Sequence, residues 1–372
     1  MKSPFDMEKG VETRLREYIQ KIAAGPRQSK DLTREQAHDA LTLILNGEVS
    51  PVRAAVFLIA ARMKRESLEE NLGYWKALDD ATIKQPVKVK KLLQVADPFD
   101  GFNRTPCFGF YAIPVIAELG LPCYGHSAQG LPPKFGVTFQ EILHTHYQVS
   151  PKALVNTRFL EEKGFCFIGL HQSHPKLEAL RALRVEMVKR PALATFEKML
   201  MPLQADGGKS ILATTYFHRG YEEPMITAAR LSGFDTAIIG NGLESTTLFG
   251  VHKAADVFII SGKTDVDQQR VDVSEVLLGK EGERVRKAYA ELKTKQSNLT
   301  DVTSLGEQAL KSGTGSATPL IARQAGSLAY FAGEFSSFQE SFEAAEAILK
   351  SGVSYRHLME FVNHIGSYDE KE

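Results

Sequence analysis

The sequence predicts an α/β protein with two parts, a small N-terminal helical bundle that later helices complete and a larger α/β domain with a mostly parallel sheet. Two observations predict this division. The first 80 or so residues contain short helical patterns separated by tight turns, whereas apolar strand-like runs alternate with helical patterns after Lys84. A chain of 372 residues is long for a single core, so we expect two domains. The change of pattern places them at residues 1–85 and 86–372.

Helix-capping signals define the predicted bundle. Residues 8–24 form a first helix of mixed charge, which the turn around Gly25 ends. Three N-terminal signals follow, formed by Thr33 with Gln36, Ser50 with Pro51, and Ser67 with Glu70. A hydroxyl at the cap accepts a backbone hydrogen bond, and proline is compatible with the first turn, so each pair favours the start of a helix.

The larger domain is predicted from six apolar runs that read as strands. They lie at residues 88–97, 121–125, 165–170, 210–216, 235–240 and 255–260. Helical patterns occupy most of the intervals, and the chain turns helical again from about residue 302. Strands that alternate with helices are typical of a parallel sheet covered by helices. Residues 280–300 are the most polar stretch and read as an exposed helix or a linker.

Composition excludes some classes of protein. Lys and Arg together number 45, as do Asp and Glu, so the total charge encodes no bulk attraction to nucleic acid or membrane. The three cysteines, Cys107, Cys123 and Cys166, have no paired spacing and are interpreted as reduced, buried thiols. The charged N-terminus lacks the apolar segment of a signal peptide, and no apolar run is long enough for a membrane span, so we expect a cytoplasmic protein.

Three polar loops follow predicted strands, where a parallel sheet places its ligand site. Residues 96–106 offer Asp100, Gly101, Asn103, Arg104 and Thr105 to a phosphate, a sugar or a metal, although the same residue types also build ordinary turns. Residues 125–136 offer His126 and Lys134, and residues 240–247 offer Glu244 as a ligand for Mg²⁺.

Other polar residues are weaker candidates. His218 and Arg219 follow the strand at residues 210–216. The basic run from Lys84 to Lys91 suits phosphates, but lysines along a strand edge that prevent aggregation look the same.

Several segments, taken in order, resemble the anthranilate phosphoribosyltransferase family, glycosyltransferase family 3. Residues 32–73 are similar to its helical N-terminal domain, residues 174–203 to its HP…R…FN.LGPL stretch, and residues 313–362 to its closing helices. The active-site motifs differ. Ala96-Asp97-Pro98-Phe99-Asp100 stands where the family has GTGGD, and Gly242-Leu243-Glu244-Ser245 stands where it has GLDE. In the loop of residues 125–136, His126, Lys134 and Gly136 match the family's KHGNRSVSSKSG.

The resemblance implies a pentosyltransferase that displaces a group at C1 of a phosphorylated ribose, a reaction of tryptophan biosynthesis in that family. It implies that Asp100, Gly101, Asn103, Arg104 and Thr105 hold the donor. By the same resemblance, His126 and Lys134 support its phosphates, Glu244 holds Mg²⁺, Arg184 orients the acceptor, and the protein is a homodimer.

The loop of residues 96–106, which differs from the family's GTGGD motif, is more similar to that of a divergent branch of the superfamily. That branch keeps the fold as homodimers, and some of its members bind nucleic acid without known catalysis. The alternative function is therefore a non-catalytic homodimer whose groove holds nucleic acid. A scaffold without a ligand is a third interpretation, since fold does not fix function.

Overall fold

The fold was analysed in a computed structural model that describes residues 10–25, 27–150, 153–216, 220–262, 265–293 and 297–369. Four helices begin the described chain: α1 (Val11–Ile22), α2 (Arg34–Leu45), α3 (Pro51–Lys64) and α4 (Leu68–Asp80).

The predicted helix caps are confirmed. Capping boxes begin α2 and α4, at Thr33 and at Ser67, and the Ser50 hydroxyl accepts from the backbone of Arg53 at the start of α3. Glu70 completes the second box and is fully buried, where it also accepts from the backbone of Leu32 at 2.9 Å. The capping residues therefore determine where the helices begin, and Glu70 also joins α4 to the segment before α2.

Within the described residues, nine strands form two sheets. The strands are β1 (Gln85–Val87), β2 (Lys91–Ala96), β3 (Cys123–Ser127), β4 (Phe165–Gly169), β5 (Leu203–Ala205), β6 (Lys209–Tyr216), β7 (Thr236–Asn241), β8 (Ala255–Ser261) and β9 (Asp265–Val271). The main sheet has the order β4-β3-β2-β6-β7-β8-β9, and β1 pairs separately with β5. The five strands β4, β3, β2, β6 and β7 are parallel to their neighbours. β8 is antiparallel to β7, and β9 is antiparallel to β8.

All six predicted strands are present, whereas β1, β5 and β9 were missed. β9 has the sequence DVDQQRV and lies exposed at the edge of the sheet, so it carries almost none of the apolar pattern that marks a buried strand. The mostly parallel sheet predicted from the sequence is confirmed.

Helices cover the sheet. The remaining α-helices are α5 (Gly109–Glu118), α6 (Phe139–Glu141), α7 (Ala153–Lys163), α8 (Leu170–Ser173), α9 (Pro175–Glu178), α10 (Arg181–Met187), α11 (Leu193–Phe196), α12 (Glu222–Leu231), α13 (Val273–Val276), α14 (Glu281–Lys293), α15 (Leu299–Ser312), α16 (Thr318–Phe331), α17 (Phe338–Ser351) and α18 (Val353–Asp369). A π-helical turn, Ile142–His146, continues α6.

The sheet separates two hydrophobic cores. Along β6, Ile211 and Ala213 belong to the core shared with α5 and the C-terminal helices, and Leu212 belongs to the core shared with the bundle. This alternation is the two-residue period of a strand that is buried on both faces.

Later helices complete the bundle, as predicted. α10 packs against α3, and α11 and α12 pack against α4. The three cysteines are free and buried, which the sequence also predicted. Among the described residues, we find no helix with both the length and the apolar character needed to cross a bilayer.

The loops that follow β2 and β3 are joined by their backbones. Phe102 and Val137 exchange two hydrogen bonds, of 3.1 and 3.0 Å, and the Gly136 N–H donates to the Asp100 carbonyl at 2.9 Å. A Cβ atom on Gly136 would lie 2.5 Å from the Phe102 nitrogen, so only glycine permits this approach.

Replacing Gly136 by alanine tests this close approach. We expect Gly136→Ala to lower the free energy of unfolding by about 1–3 kcal/mol, because the new methyl group must push the two loops apart. Urea denaturation followed by circular dichroism measures the change. Gly10→Ala is the control, since nothing lies within 4 Å of a Cβ at that position, and equal effects of the two substitutions would contradict the packing argument.

Candidate functional site

The polar loops meet in one cleft at the carboxyl ends of β2, β3, β6 and β7. Its described lining comprises Arg62, Pro98, Phe99, Asp100, Arg104, Lys134, Arg190, Pro191, Ala194, Thr195, Glu197, Lys198, Thr215, Tyr216, Tyr221, Met225, Glu244 and Ser245. Because parallel strands end at a common edge, loops that are distant in sequence contribute to the same surface.

The Glu244 carboxylate sits in a cradle of backbone N–H groups, which we call the 103–105 cradle. The N–H groups of Asn103, Arg104 and Thr105 donate to its two oxygens at 3.4, 2.8 and 2.6 Å. Successive N–H groups that converge in this way form a concave site for an anion. The Glu244 side chain is 4% exposed and is therefore well shielded from water.

Asp100 lies between two cations. Arg190 donates to Oδ2 of Asp100 through Nε at 2.7 Å and through Nη2, and the Lys134 ammonium lies 3.3 Å from Oδ1. The two donors share one carboxylate oxygen and hold the Arg190 guanidinium at the cleft. Asp100 therefore positions two of the charges that a phosphate would meet.

Lys134 connects the two acids. Its Nζ atom lies 3.3 Å from Asp100 and 4.0 Å from Glu244, and its carbonyl accepts from the Asn103 side chain at 3.1 Å. Burial lowers the pKa of Lys134, and the two carboxylates oppose that effect. Asn103 contributes by holding this loop in place.

Two buried ionisable groups lie at and behind the floor of the cleft. The Lys198 ammonium donates to the Thr215 carbonyl at 2.5 Å, and burial lowers its pKa to about 8. Asp97 accepts from the Thr247 N–H at 3.0 Å through Oδ1, and its Oδ2 has no hydrogen-bond partner within the described part of the chain. Burial raises the pKa of Asp97 to about 6.

Arg184 and His126 do not line the cleft in this conformation. Arg184 is 2% exposed and binds Glu197 through two hydrogen bonds of 2.6 and 3.1 Å, so it reaches the cleft only through Glu197. The His126 ring is fully buried against Phe99 and pairs with the Ser173 hydroxyl at 2.9 Å. Burial lowers its pKa to about 3, so the ring is neutral near pH 7. The predicted ligand contact of each residue stays a prediction and would require its side chain to leave this position.

The cleft is suited to an anionic ligand. Among its described lining residues, five side chains are cationic (Arg62, Arg104, Lys134, Arg190 and Lys198) and three are acidic. Hydrogen bonds between cationic donors and phosphate oxygens are among the stronger ones in proteins. Within the described chain, no group of three or more His, Cys, Asp or Glu side chains is placed to hold a metal ion.

Sequence reasoning missed several residues of the cleft. Arg62, Arg190 and Lys198 reach it from α3 and from the segments around α11, and Asp97 lies behind it. The one local signal was the pair Glu197-Lys198 inside the apolar stretch ATFEKMLMPL, since adjacent charges in a buried segment need partners. His218 and Arg219 lie outside the described residues.

The pKa of Asp97 predicts a pH-dependent stability. A folded-state pKa of about 6, above the ordinary 3.8, means that protonation stabilises the fold below about pH 4 and that this contribution is lost as the pH rises through 6. Asp97→Asn does not titrate. We therefore expect the stability of the wild type to fall relative to this variant by up to about 3 kcal/mol between pH 4 and pH 7.

Urea unfolding at several pH values between 4 and 7 measures the difference, with Asp206→Asn at an exposed position as the control. A stability difference between wild type and Asp97→Asn that stays constant over this range would contradict the assignment.

Comparisons with known proteins agree with this architecture. Residues 16–82 match the family described as "Glycosyl transferase family, helical bundle domain". These residues contain most of α1 and all of α2, α3 and α4.

Relatives extend the similarity to the rest of the chain. An uncharacterized protein of Aquifex aeolicus (strain VF5) is 32% identical over 58% of this chain and 64% of its own length, so the chain spans slightly less than two thirds of that relative. The anthranilate phosphoribosyltransferase of Rubrobacter xylanophilus is 26% identical over 94% of this chain and 96% of its own.

A solved structure shows the same fold. The anthranilate phosphoribosyltransferase of Saccharomyces cerevisiae in complex with PRPP and Mg superimposes with a TM-score of 0.74 at 17% identity, over 95% of this chain and 98% of that chain. The helical bundle, the mostly parallel sheet and the similarity along nearly the whole chain lead to one conclusion: the chain resembles the anthranilate phosphoribosyltransferase family of glycosyl transferases in sequence and in fold.

Proposed function

We propose that the chain is a divergent member of this family whose cleft binds a phosphorylated ribose donor and supports transfer at its C1 atom. The observation that carries the proposal is the convergence of Lys134, Arg190, Lys198 and the 103–105 cradle at the carboxyl edge of the sheet. In such a transfer, the bond between C1 and the diphosphate leaving group breaks as the bond to the acceptor forms. Fixed cations stabilise the charge that develops on the leaving group.

The predicted donor residues have distinct roles in this proposal. Arg104 and Thr105 present backbone N–H groups, and Asp100 orients Lys134 and Arg190 towards the phosphates. Gly101, with a φ of +75°, allows its loop to approach Gly136. Arg184 acts on the acceptor side through Glu197, which lines the cleft, so the structure offers no direct support for anthranilate itself as the acceptor.

The yeast relative was solved with PRPP and Mg, which makes Mg²⁺ a candidate cofactor of the proposed reaction. In this chain, both oxygens of Glu244 accept backbone hydrogen bonds, and Arg104 and Lys134 lie within 4.0 Å. A carboxylate held this way is not free to bind a cation, so the residues as arranged do not fit Mg²⁺. Glu244 becomes a candidate ligand only after it leaves the cradle, and the donor's phosphates would have to supply much of the coordination.

The non-catalytic nucleic-acid-binding homodimer is the second candidate. Its support was the basic run at residues 84–91, but Lys84 pairs with Asp79 at 2.8 Å and Lys91 with Glu334 at 2.5 Å. These pairs reduce the charge that the run offers to phosphates. The cationic cleft favours a small phosphorylated ligand over a surface that tracks a nucleic-acid backbone.

Titration with phosphoribosyl pyrophosphate and Mg²⁺ tests the donor site. We expect the wild type to bind and Lys134→Ala to bind about 10-fold or more weakly, because the substitution removes one charge-assisted hydrogen bond. Calorimetry gives the dissociation constants. Lys280→Ala, at an exposed position outside the cleft lining, is the matched control and should bind as the wild type does.

Two results would change this proposal. Equal affinities of the wild type and Lys134→Ala would remove the cleft as the donor site. No heat with phosphoribosyl pyrophosphate, together with salt-dependent binding of a single-stranded oligonucleotide, would favour the nucleic-acid-binding alternative.

We also propose that the chain forms a homodimer through the bundle. An apolar groove between α3 and α10 is lined by Pro51, Val52, Ala55, Val56, Ile59, Ala60, Leu183, Glu186 and Met187. Val52 is 72% exposed and Val56 is 45% exposed, and Met63 lies further along the same helix at 77%. Contiguous exposed apolar surface of this kind is typical of protein–protein contacts.

Charges placed in the groove test the dimer. We expect the wild type to have twice the 41.1 kDa chain mass in solution and the double variant V52E/V56E to be monomeric, because two buried carboxylates would lack partners. Light scattering coupled to size exclusion measures the mass. Leu278→Glu changes an equally exposed apolar residue elsewhere and should leave the dimer intact. A monomeric wild type would contradict the proposal.

A further inference from the structure

In the 103–105 cradle, the anion that accepts the hydrogen bonds is the carboxylate of Glu244. Three backbone N–H groups and two cationic side chains surround the Glu244 carboxylate, with the Arg104 Nε atom at 3.8 Å and the Lys134 Nζ atom at 4.0 Å. A carboxylate brings one negative charge and two oxygens. A phosphoryl group brings up to two charges and three oxygens, and so matches this set of donors better.

The backbone that delivers Glu244 is strained. Glu244 has a φ of +51° and Ser245 a φ of +66°, so two consecutive residues with side chains adopt the left-handed conformation. Residues with side chains are strained in this conformation, which persists only when their contacts hold it. Here the cradle holds Glu244, and the Thr215 hydroxyl donates to the Ser245 carbonyl at 2.6 Å. An anion that takes the cradle would therefore also release part of this strain.

The surroundings allow the exchange. Glu244 and Ser245 belong to the lining of the cleft, so a ligand bound there lies next to the segment that carries the carboxylate. Arg104 is 70% exposed at its side chain and is free to turn towards a ligand, whereas Lys134 is 18% exposed and fixed between the two acids. The cradle thus has one movable and one fixed cation.

We propose that the 103–105 cradle is a phosphoryl-binding subsite that Glu244 occupies when the cleft is without ligand. Glu244 then competes with the incoming phosphoryl group and lowers its apparent affinity. The inference deepens the proposed function, since it concerns the same cleft, and it assigns to Glu244 a role that differs from that of a metal ligand. It predicts that removal of the carboxylate strengthens phosphate binding in the absence of any metal.

The test is a calorimetric titration with inorganic phosphate in metal-free buffer. We expect Glu244→Ala to bind phosphate about 10-fold more tightly than the wild type, because the cradle is then empty. Glu244→Gln should lie between the two, since its amide oxygen still reaches the cradle but carries no charge. Glu223→Ala, at an exposed position outside the cleft lining, should match the wild type.

Equal phosphate affinities of the wild type and both Glu244 variants would overturn the inference. If Glu244→Ala does not fold, as judged by its circular dichroism, Glu244→Gln carries the test, and weaker or equal binding by that variant overturns the inference. Should Glu244 serve chiefly as a metal ligand, both variants would bind metal-free phosphate no better than the wild type, which also overturns it.

This result is separable from the proposed function. Phosphate binding that strengthens in Glu244→Ala, with no binding of phosphoribosyl pyrophosphate by the wild type, would support the subsite and remove the donor proposal. Binding of phosphoribosyl pyrophosphate by the wild type, with no gain for phosphate in the variants, would do the reverse.

Discussion

The site depends on the contact between two loop backbones at Gly101 and Gly136. A Cβ atom on Gly101 would lie 2.3 Å from the Gly136 carbonyl oxygen, so the two loops touch without intervening side chains. The hydrogen bonds on either side of this contact fix Asp100, Lys134 and the 103–105 cradle relative to one another. A small shift at the contact would separate the acids from their cations, and the charge pattern of the cleft would change with it.

The three acidic side chains of the cleft lining all have partners within the protein. Asp100 pairs with Arg190 and Lys134, Glu197 pairs with Arg184, and Glu244 occupies the cradle. Charges shielded from water require such partners, because desolvation is costly. The proposed phosphorylated ligand would therefore exchange partners with these acids as it binds. Its affinity depends on the difference between the two sets of contacts, and the number of cations alone does not determine it.

Short sequence patterns predicted the parts of the fold that depend on interactions between residues close in sequence. The capping residues at Thr33, Ser50 and Ser67 act within one helical turn, and the six apolar strands carry their own burial signal. The site was harder to predict, because Arg190 and Lys198 reach it from a segment almost a hundred residues after Asp100. His126 lies in β3, and its ring packs on Phe99 in the interior. A position near the end of a strand does not by itself indicate whether the side chain points into the interior or into the cleft.

The position of the cleft between two layers links the ligand to both parts of the protein. Arg62 comes from the helical bundle and Lys134 from the loop after β3, and Met225 of α12 lies between bundle and sheet. A ligand that contacts all three would hold the bundle against the sheet edge. α10 contains Arg184, which binds Glu197 in the lining of the cleft, and it also borders the apolar groove. The proposed association of two chains at that groove would therefore stabilise the wall that carries Glu197. In the proposed homodimer, α10 would connect the interface between the chains with the wall of the cleft.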